Sequence, residues 1–204
     1  MSEVRRRFVV WDKEDGHGSE AVEVTLLADR LQASGAQVGF APLPYRLDFT
    51  LDTGAGWVTE RLAVTSRGEG WTRTLDLRRS AAGEWSIENS AEGEVDLPSP
   101  GGDVASFATA LDCDLGLCPL TNTMPVLRHD LLRRDGSLDF VMAWVSVPDL
   151  AVRRSGQRYT PLPPGGDGLR HIEYRSLDSD FVSALTYDGD GLVVDYPQMA
   201  TRVR

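Results

Sequence analysis

Apolar and polar side chains alternate along most of this chain. Tyr45, Leu47, Phe49 and Leu51 fall on one side of a segment whose other side is Arg46, Asp48, Thr50 and Asp52. Successive side chains point to opposite faces only in a strand, so the segment is a half-buried strand. A turn over 52–56 follows, and Trp57 to Ser66 continues with Val58, Leu62 and Val64 in phase. Trp71 to Leu77 is the next strand, ended at Ala82 and Gly83, and Trp85 to Glu88 is a short one after it. The stretch 40–90 therefore predicts a meander of antiparallel strands. Phe8 to Trp11 is a short apolar strand. Ala21 to Leu27 fits either state. Leu26, Leu27 and Leu31 with Ala28 suit a helix, whereas Gly16, Gly18, Gly35 and Gly39 frame a hairpin, and strand is the reading.

The back half returns to strands. Phe140 to Val147 is apolar on both faces, which predicts a strand covered on both sides and central in its sheet, ended by Pro148. Leu150 to Arg153 continues it or forms an edge. Tyr159 to Gly168 reads as a loop, since its prolines donate no ladder bond. Leu169 to Ser176 and Phe181 to Tyr187 alternate, and the turn Asp188-Gly189-Asp190-Gly191 leads into Leu192 to Tyr196. Helix is expected only within 104–112 and 121–132. There Thr121, Asn122 and Thr123 offer a cap ahead of Pro125, with Val126, Leu127 and Leu131 turned to a core. The loop at 97–103 is not a domain boundary, because a separate front half would expose many strand edges. The expectation is one continuous domain over 1–204: mainly β, a barrel, sandwich or rolled sheet that closes or covers its edges. Such a sheet commonly encloses an apolar cavity.

Composition narrows the function. The 41% hydrophobic and 25% charged residues allow a packed core. The formal charge of −10, from 21 basic and 31 acidic side chains, repels nucleic acid and anionic membrane surfaces. The short basic runs, Arg5 to Arg7 and Arg78-Arg79, read as solvated faces. Lys13 is the sole lysine among arginines. Met1 to Phe8 has no apolar leader, and no run approaches the ~18 apolar residues of a membrane span, so a cytoplasmic location is expected.

Motifs for catalysis or cofactors are missing from the pattern. Asp112, Cys113 and Asp114 with Cys118 and His129 are metal-ligand types, but their spacing matches no zinc site and they read as structural. The 188–191 turn lacks the later ligands of a calcium loop. His17, His129 and His171 are scattered, and there is no G-x-S-x-G elbow. Cys113 and Cys118 default to inert thiols. No phosphate loop or dinucleotide fingerprint occurs, so no catalytic residue, metal or cofactor is assigned. Trp57, Trp71, Trp85, Trp144, Tyr159, Tyr174 and Tyr196 are spread over many strands. In a rolled sheet several could line one cavity, with flat faces suited to sugar rings or acyl chains; ordinary core packing is the plainer alternative.

The segment from Leu111 to Arg128 carries Asp112, Asp114 and Leu115, then Cys118-Pro119, then Thr121-Asn122-Thr123-Met124-Pro125. It resembles the signature of the family named Putative glycolipid-binding: D-x-D-L, a short gap, S/T-P and T-N-T-L-P-I-R. Ala143-Trp144-Val145, Pro148-Asp149-Leu150, Gln157-Arg158-Tyr159, Tyr174-Arg175-Ser176, Gly191-Leu192-Val193 and Tyr196-Pro197 resemble later blocks. Trp11, Glu20, Tyr45 and Trp57 to Arg61 resemble earlier ones. Met124, Val126-Leu127, Cys118 and Glu60 depart from the pattern. The resemblance implies a spiral β-roll, a long antiparallel sheet wrapped around a single helix, with a ligand-binding role and a capacity to form homodimers.

The leading reading is therefore non-enzymatic binding of a lipid or glycolipid-like amphipathic ligand. Trp57 and Trp144 would cover its apolar part, and Asp114, Asn122, Arg128, Gln157 and Tyr159 would orient its head. The structural alternative makes Asn122 and Asp114 caps and turn formers and Arg128 the partner of Asp114. A rival class, a hydrolase acting on a small ester or sugar, would need a close, buried carboxylate or histidine pair. A third class, a structural or dimerising protein, would show an exposed apolar patch without a pocket.

Overall fold

The computed structural model describes residues 4–14, 18–163, 166 and 168–203; His17 lies outside them. The front half is a meander: β1 (Arg5–Lys13), β2 (Ser19–Leu26), β3 (Leu31–Gly39), β4 (Tyr45–Thr53), β5 (Thr59–Gly68), β6 (Trp71–Arg79) and β7 (Trp85–Glu92). An inner segment follows, with β8 (Asp112–Leu115) and the short helix α1 (Thr123–Arg128). The back half is β9 (Leu138–Val145), β10 (Val152–Pro161), β11 (Arg170–Ser176), β12 (Val182–Tyr187), β13 (Val193–Tyr196) and β14 (Ala200–Arg202). All lie in one 14-stranded sheet of order β7-β6-β5-β4-β3-β2-β1-β14-β13-β12-β11-β10-β9-β8. The first and last strands join antiparallel, with Trp11 opposite Arg202, so two meanders are fused where the chain begins and ends. Every neighbouring pair is antiparallel except β8, which runs parallel to β9.

The alternation of β4 is realised as read: Tyr45, Leu47, Phe49, Leu51 and Thr53 are buried, and the residues between them are not. The sheet curls on itself. β5 and β8 are far apart in strand order, yet the Thr59 amide donates to Leu111 O at 3.0 Å, and the Cys113 amide donates to Thr59 Oγ1 at 3.0 Å. The inner edge of the sheet is thereby covered by its own front half, which removes an open ladder. Thr123, Met124, Pro125 and Val126 are all buried, so α1 is enclosed by the roll. Its Leu127 packs over Gly191, where φ is +78° and an added Cβ would stand 2.5 Å from Leu127 Cδ2. Only glycine satisfies both the backbone and the contact.

β9 divides two apolar clusters. Val141, Ala143 and Val145 face the cluster built on the front meander, whereas Phe140 and Met142 face the one built on β10–β13. The strand is thus covered on both sides, as its composition predicted. It is not central in the ladder, however, but next to the terminal strand β8. Rolling the sheet puts an end of the ladder in the middle of the molecule.

Ala21 to Leu26 is strand as read, paired with β1 and β3. Other expectations are corrected. β3, β8 and β14 were not read as strands. The proposed helix at 104–112 is a single 3₁₀ turn over Val104–Phe107, capped by the Asp103 side chain, before β8 begins at Asp112. The one at 121–132 is a 3₁₀ turn over Pro119–Asn122 running into α1, and Asn122 makes no side-chain cap. β10 extends to Pro161, which stands opposite Ile172. Among the described residues no helix is long and apolar enough to cross a membrane.

Candidate functional site

On β8 the side chains of Asp112 and Asp114 share one face, and Cys113 and Leu115 turn the other way into the front core. The two aspartates meet different partners. Asp112 is buried and gripped by both terminal nitrogens of Arg128, with Nη1 2.8 Å from Oδ1. Arg128 was expected to orient a ligand's head or, in the structural alternative, to pair with Asp114; the turn of α1 places it over Asp112 instead. Asp114 instead accepts from Thr121 Oγ1 at 2.9 Å and from Gln157 Nε2 at 2.6 Å. The chain of bonds runs on through Tyr159, whose hydroxyl lies 2.9 Å from Asn122 Oδ1 and 3.1 Å from Gln157 Oε1 and donates its one proton to either acceptor. Asn122 is therefore a polar wall residue rather than a helix cap.

Asp114 and Asn122 line a cavity of about 310 Å³ with Trp144, Ser155, Ser176 and the loop 116–118. Tyr174, Phe181 and Tyr196 form its aromatic wall, with ring centroids 5.9, 6.0 and 6.4 Å apart. Tyr159 stands behind that wall, edge-on to Tyr174. The inward alternation of β11, with Ile172 and Tyr174 buried, presents the ring to this space. Burial pushes Asp114 up to about 6, partly offset by its bonds to Gln157 and Thr121. Burial also pushes the phenols of Tyr159, Tyr174, Tyr187 and Tyr196 up, with the Asp114 charge adding to it, so they stay protonated donors.

Five of the seven expected site residues thus converge: Asp114, Asn122, Gln157, Tyr159 and Trp144. Arg128 is withdrawn to Asp112. Trp57 is elsewhere, at a hollow of about 410 Å³ beside Leu26, Leu127 and Asp130. A hollow of about 540 Å³ is the outer face of β4–β7, where Asp48 and Asp76 are already paired with arginines. Trp71 and Trp85 belong to the front core.

Sequence reasoning missed a second polar group under the same cavity. Lys13 and Glu20 are buried, with Lys13 Nζ 3.6 Å from Glu20 Oε2. Lys13 donates to Leu117 O, Gln37 donates to Glu20 and reaches Gly116 O at 3.4 Å, and the Cys118 thiol lies 3.3 Å from Glu20 Oε1. These contacts hold three successive loop residues, the middle one, Leu117, at φ +56°. A left-handed leucine is strained, and it persists where its surroundings over-determine it. Burial raises Glu20 against the pull of Lys13, and burial with the Glu20 charge raises the Cys118 thiol well above its usual range. The signal available was the lone lysine itself. Among the described residues no three His, Cys, Asp or Glu side chains are grouped to hold a metal ion.

A long antiparallel sheet rolled about a short helix, with an aromatic-walled cavity beside the segment that leads into the helix, defines a mainly-β roll. The chain belongs to the family described as "Putative glycolipid-binding", whose model matches residues 8–202. The structure is similar to the crystal structure of a DUF1089 family protein from Pseudomonas aeruginosa, with a TM-score of 0.69 and 26% sequence identity over 90% of this chain and 92% of that one. No curated protein matches the sequence.

Proposed function

We propose that the protein binds a small lipid or glycolipid-like amphipathic molecule, without covalent chemistry, in the cavity at Asp114. The observation that carries this reading is the division of the cavity wall. Asp114, Asn122, Ser155 and Ser176 supply polar contacts, and Trp144, Tyr174, Phe181 and Tyr196 supply flat apolar area. Its volume of about 310 Å³ is near the lower end of ligand pockets, which run from about 300 to 1,000 Å³. It suits a head group and the first part of a chain rather than a whole lipid.

The hydrolase reading has less support. Asp112 is buried but taken up by Arg128, and only Asp114, half-buried, lines the cavity. Cys118 also lines it, but its raised thiol disfavours the nucleophilic thiolate. Native mass spectrometry of the protein purified gently from its host is expected to show a retained small molecule that is lost in Trp144→Ala. A bare mass, with no amphiphile bound on titration, would overturn the reading.

The homodimer implied by the family is proposed at the outer face of β1. There Phe8 is 72% exposed and Val10 half-buried, between Arg6 and Asp12. Under two-fold symmetry Arg6 of one copy would meet Asp12 of the other across the apolar pair. Sedimentation is expected to show a dimer that Phe8→Ser turns into monomer; an unchanged mass in the variant removes this face.

A further inference from the structure

We infer that the head group received at Asp114 is cationic: an organic ammonium carried on an apolar tail. The inference rests on the binding reading above and narrows its ligand class. Asp114 is the one charged side chain among the described residues that line the cavity; no arginine, lysine or histidine does. Its two hydrogen bonds come from the neutral groups Thr121 Oγ1 and Gln157 Nε2. Arg128 is engaged on Asp112 and Lys13 on Glu20 and Leu117 O, and Arg153, opposite Trp144 in the ladder, is exposed and outside the cavity lining. A carboxylate sheltered from water without a counter-cation is the group a ligand cation would compensate.

The rest of the wall fits the same charge. Trp144, Tyr174, Phe181 and Tyr196 offer ring faces, whose negative quadrupoles attract ammonium and are indifferent or hostile to anions. The hydroxyls of Ser155, Ser176 and Ser179 offer acceptor oxygens to N–H donors. The net charge of −10 raises the local concentration of cations around the molecule. A phosphate or carboxylate head would meet Asp114 with no cation among the described residues of the lining to neutralise either charge. An uncharged sugar would find bonding partners but leave the carboxylate as it is. The rise of the Asp114 carboxyl, caused by burial with no cation to oppose it, is consistent with this arrangement.

Titration calorimetry on the whole chain at neutral pH tests the inference with octyl probes below their micelle concentrations. Octyl glucosaminide and octyl glucoside differ by one ammonium; octyltrimethylammonium and octanoate extend the series to a quaternary cation and an anion. At least one cationic probe is expected to bind about tenfold or more tighter than octyl glucoside, the factor that corresponds to ~1.4 kcal/mol, and octanoate weakest. Which cation leads separates an amino-sugar head from a quaternary one. Asp114→Asn is expected to bring the ammonium-to-glucoside affinity ratio down to about one, the ratio rather than the glucoside affinity being the readout. If that variant does not fold, Phe181→Leu at the half-buried rim is expected to lower the ammonium-to-glucoside ratio about threefold, as loss of one cation–π contact would. Equal or tighter binding of glucoside or octanoate, or a preference that survives both variants, overturns the cationic head group and leaves the binding reading standing. Failure of every probe to bind removes both.

Discussion

The front meander, β1–β7, and the back, β8–β14, are built by the same alternation but bury different chemistry. Inside the front lie Leu47, Leu51, Leu62, Leu75 and Leu77, and its buried ionic pair, Lys13 with Glu20, is turned to hold the 116–118 loop. Inside the back lie Tyr159, Tyr174, Tyr187 and Tyr196, with Gln157, Asn122 and Asp114 between them. The front is a wall that grips; the back leaves a polar-lined space. The difference teaches that an apolar face closes a sheet by packing alone, whereas a face of rings tipped with hydroxyls calls for polar partners, which Tyr159 finds in Asn122 and Gln157 and the Tyr187 hydroxyl lacks among the described residues.

The sharpest way to break that contrast is to unbalance the gripping pair. Lys13→Met leaves Glu20 buried and unpaired, and denaturant melts are expected to show a loss of roughly 3–5 kcal/mol. Lys13→Met combined with Glu20→Gln should recover most of it. A double variant as unstable as the single one would mean that the lysine acts through packing, not charge. Arg128→Met, which strands Asp112 in the same way, is expected to lose a similar amount, and the two losses should add because their partners are distinct.

Next in size is a cavity cut in the front wall. Leu47→Ala is expected to lose about 2–5 kcal/mol while leaving amphiphile affinity within a factor of two, about 0.4 kcal/mol. A parallel collapse of affinity in the folded variant would show that the two halves are not separable.

A smaller effect belongs to the back. Asp114 has a raised carboxyl, so the folded state binds its proton more tightly than the unfolded chain does. Its contribution is full below the ordinary carboxylate range and is lost as pH rises through about 6. Relative to Asp114→Asn, the wild type should therefore lose stability between about pH 4 and 7, by at most about 3 kcal/mol. Parallel melting curves for the two proteins across that range would refute the assignment. Smallest of all, Arg30→Ala removes an exposed pair with Asp29 and is expected to change stability by no more than about 0.5 kcal/mol in the same melts.

Much of the architecture could be read from local pattern, and the failures have physical causes. β4 was legible because four apolar side chains repeat at every second place. β2 was ambiguous because Val22, Val24 and Leu26 carry period two while Leu26, Leu27 and Leu31 carry the helical spacing. Pairing with β1 and β3 on both sides decided it. β3 hid because small and polar residues, Ala33, Ser34, Gly35 and Ala36, blur its faces. Gly35 is required where Phe49 and Val22 crowd in, 2.8 Å from any added Cβ. β8 was not read, apart from Asp112 at the end of the helix expected over 104–112, because four residues carry no usable period. Of the site, Asp114, Asn122, Gln157, Tyr159 and Trp144 were gathered through the family resemblance. The Lys13 and Glu20 support was not seen, since the lone lysine stands out in composition but nothing in local spacing ties it to Glu20.

By itself the sequence determined which side of the ribbon faces inward, because strand geometry makes every second residue a neighbour on one face whatever the rest of the chain does. The tertiary structure alone decided which inward residues meet. Asp112 and Asp114 are two positions apart on the same face, yet one is clasped by Arg128 from the helix and the other opens on a cavity beside Gln157 from β10. Partners that arrive from 16 and 43 residues away leave no trace in local spacing. How far the sheet curls before its edge meets Thr59 settles which acid is neutralised and which remains available.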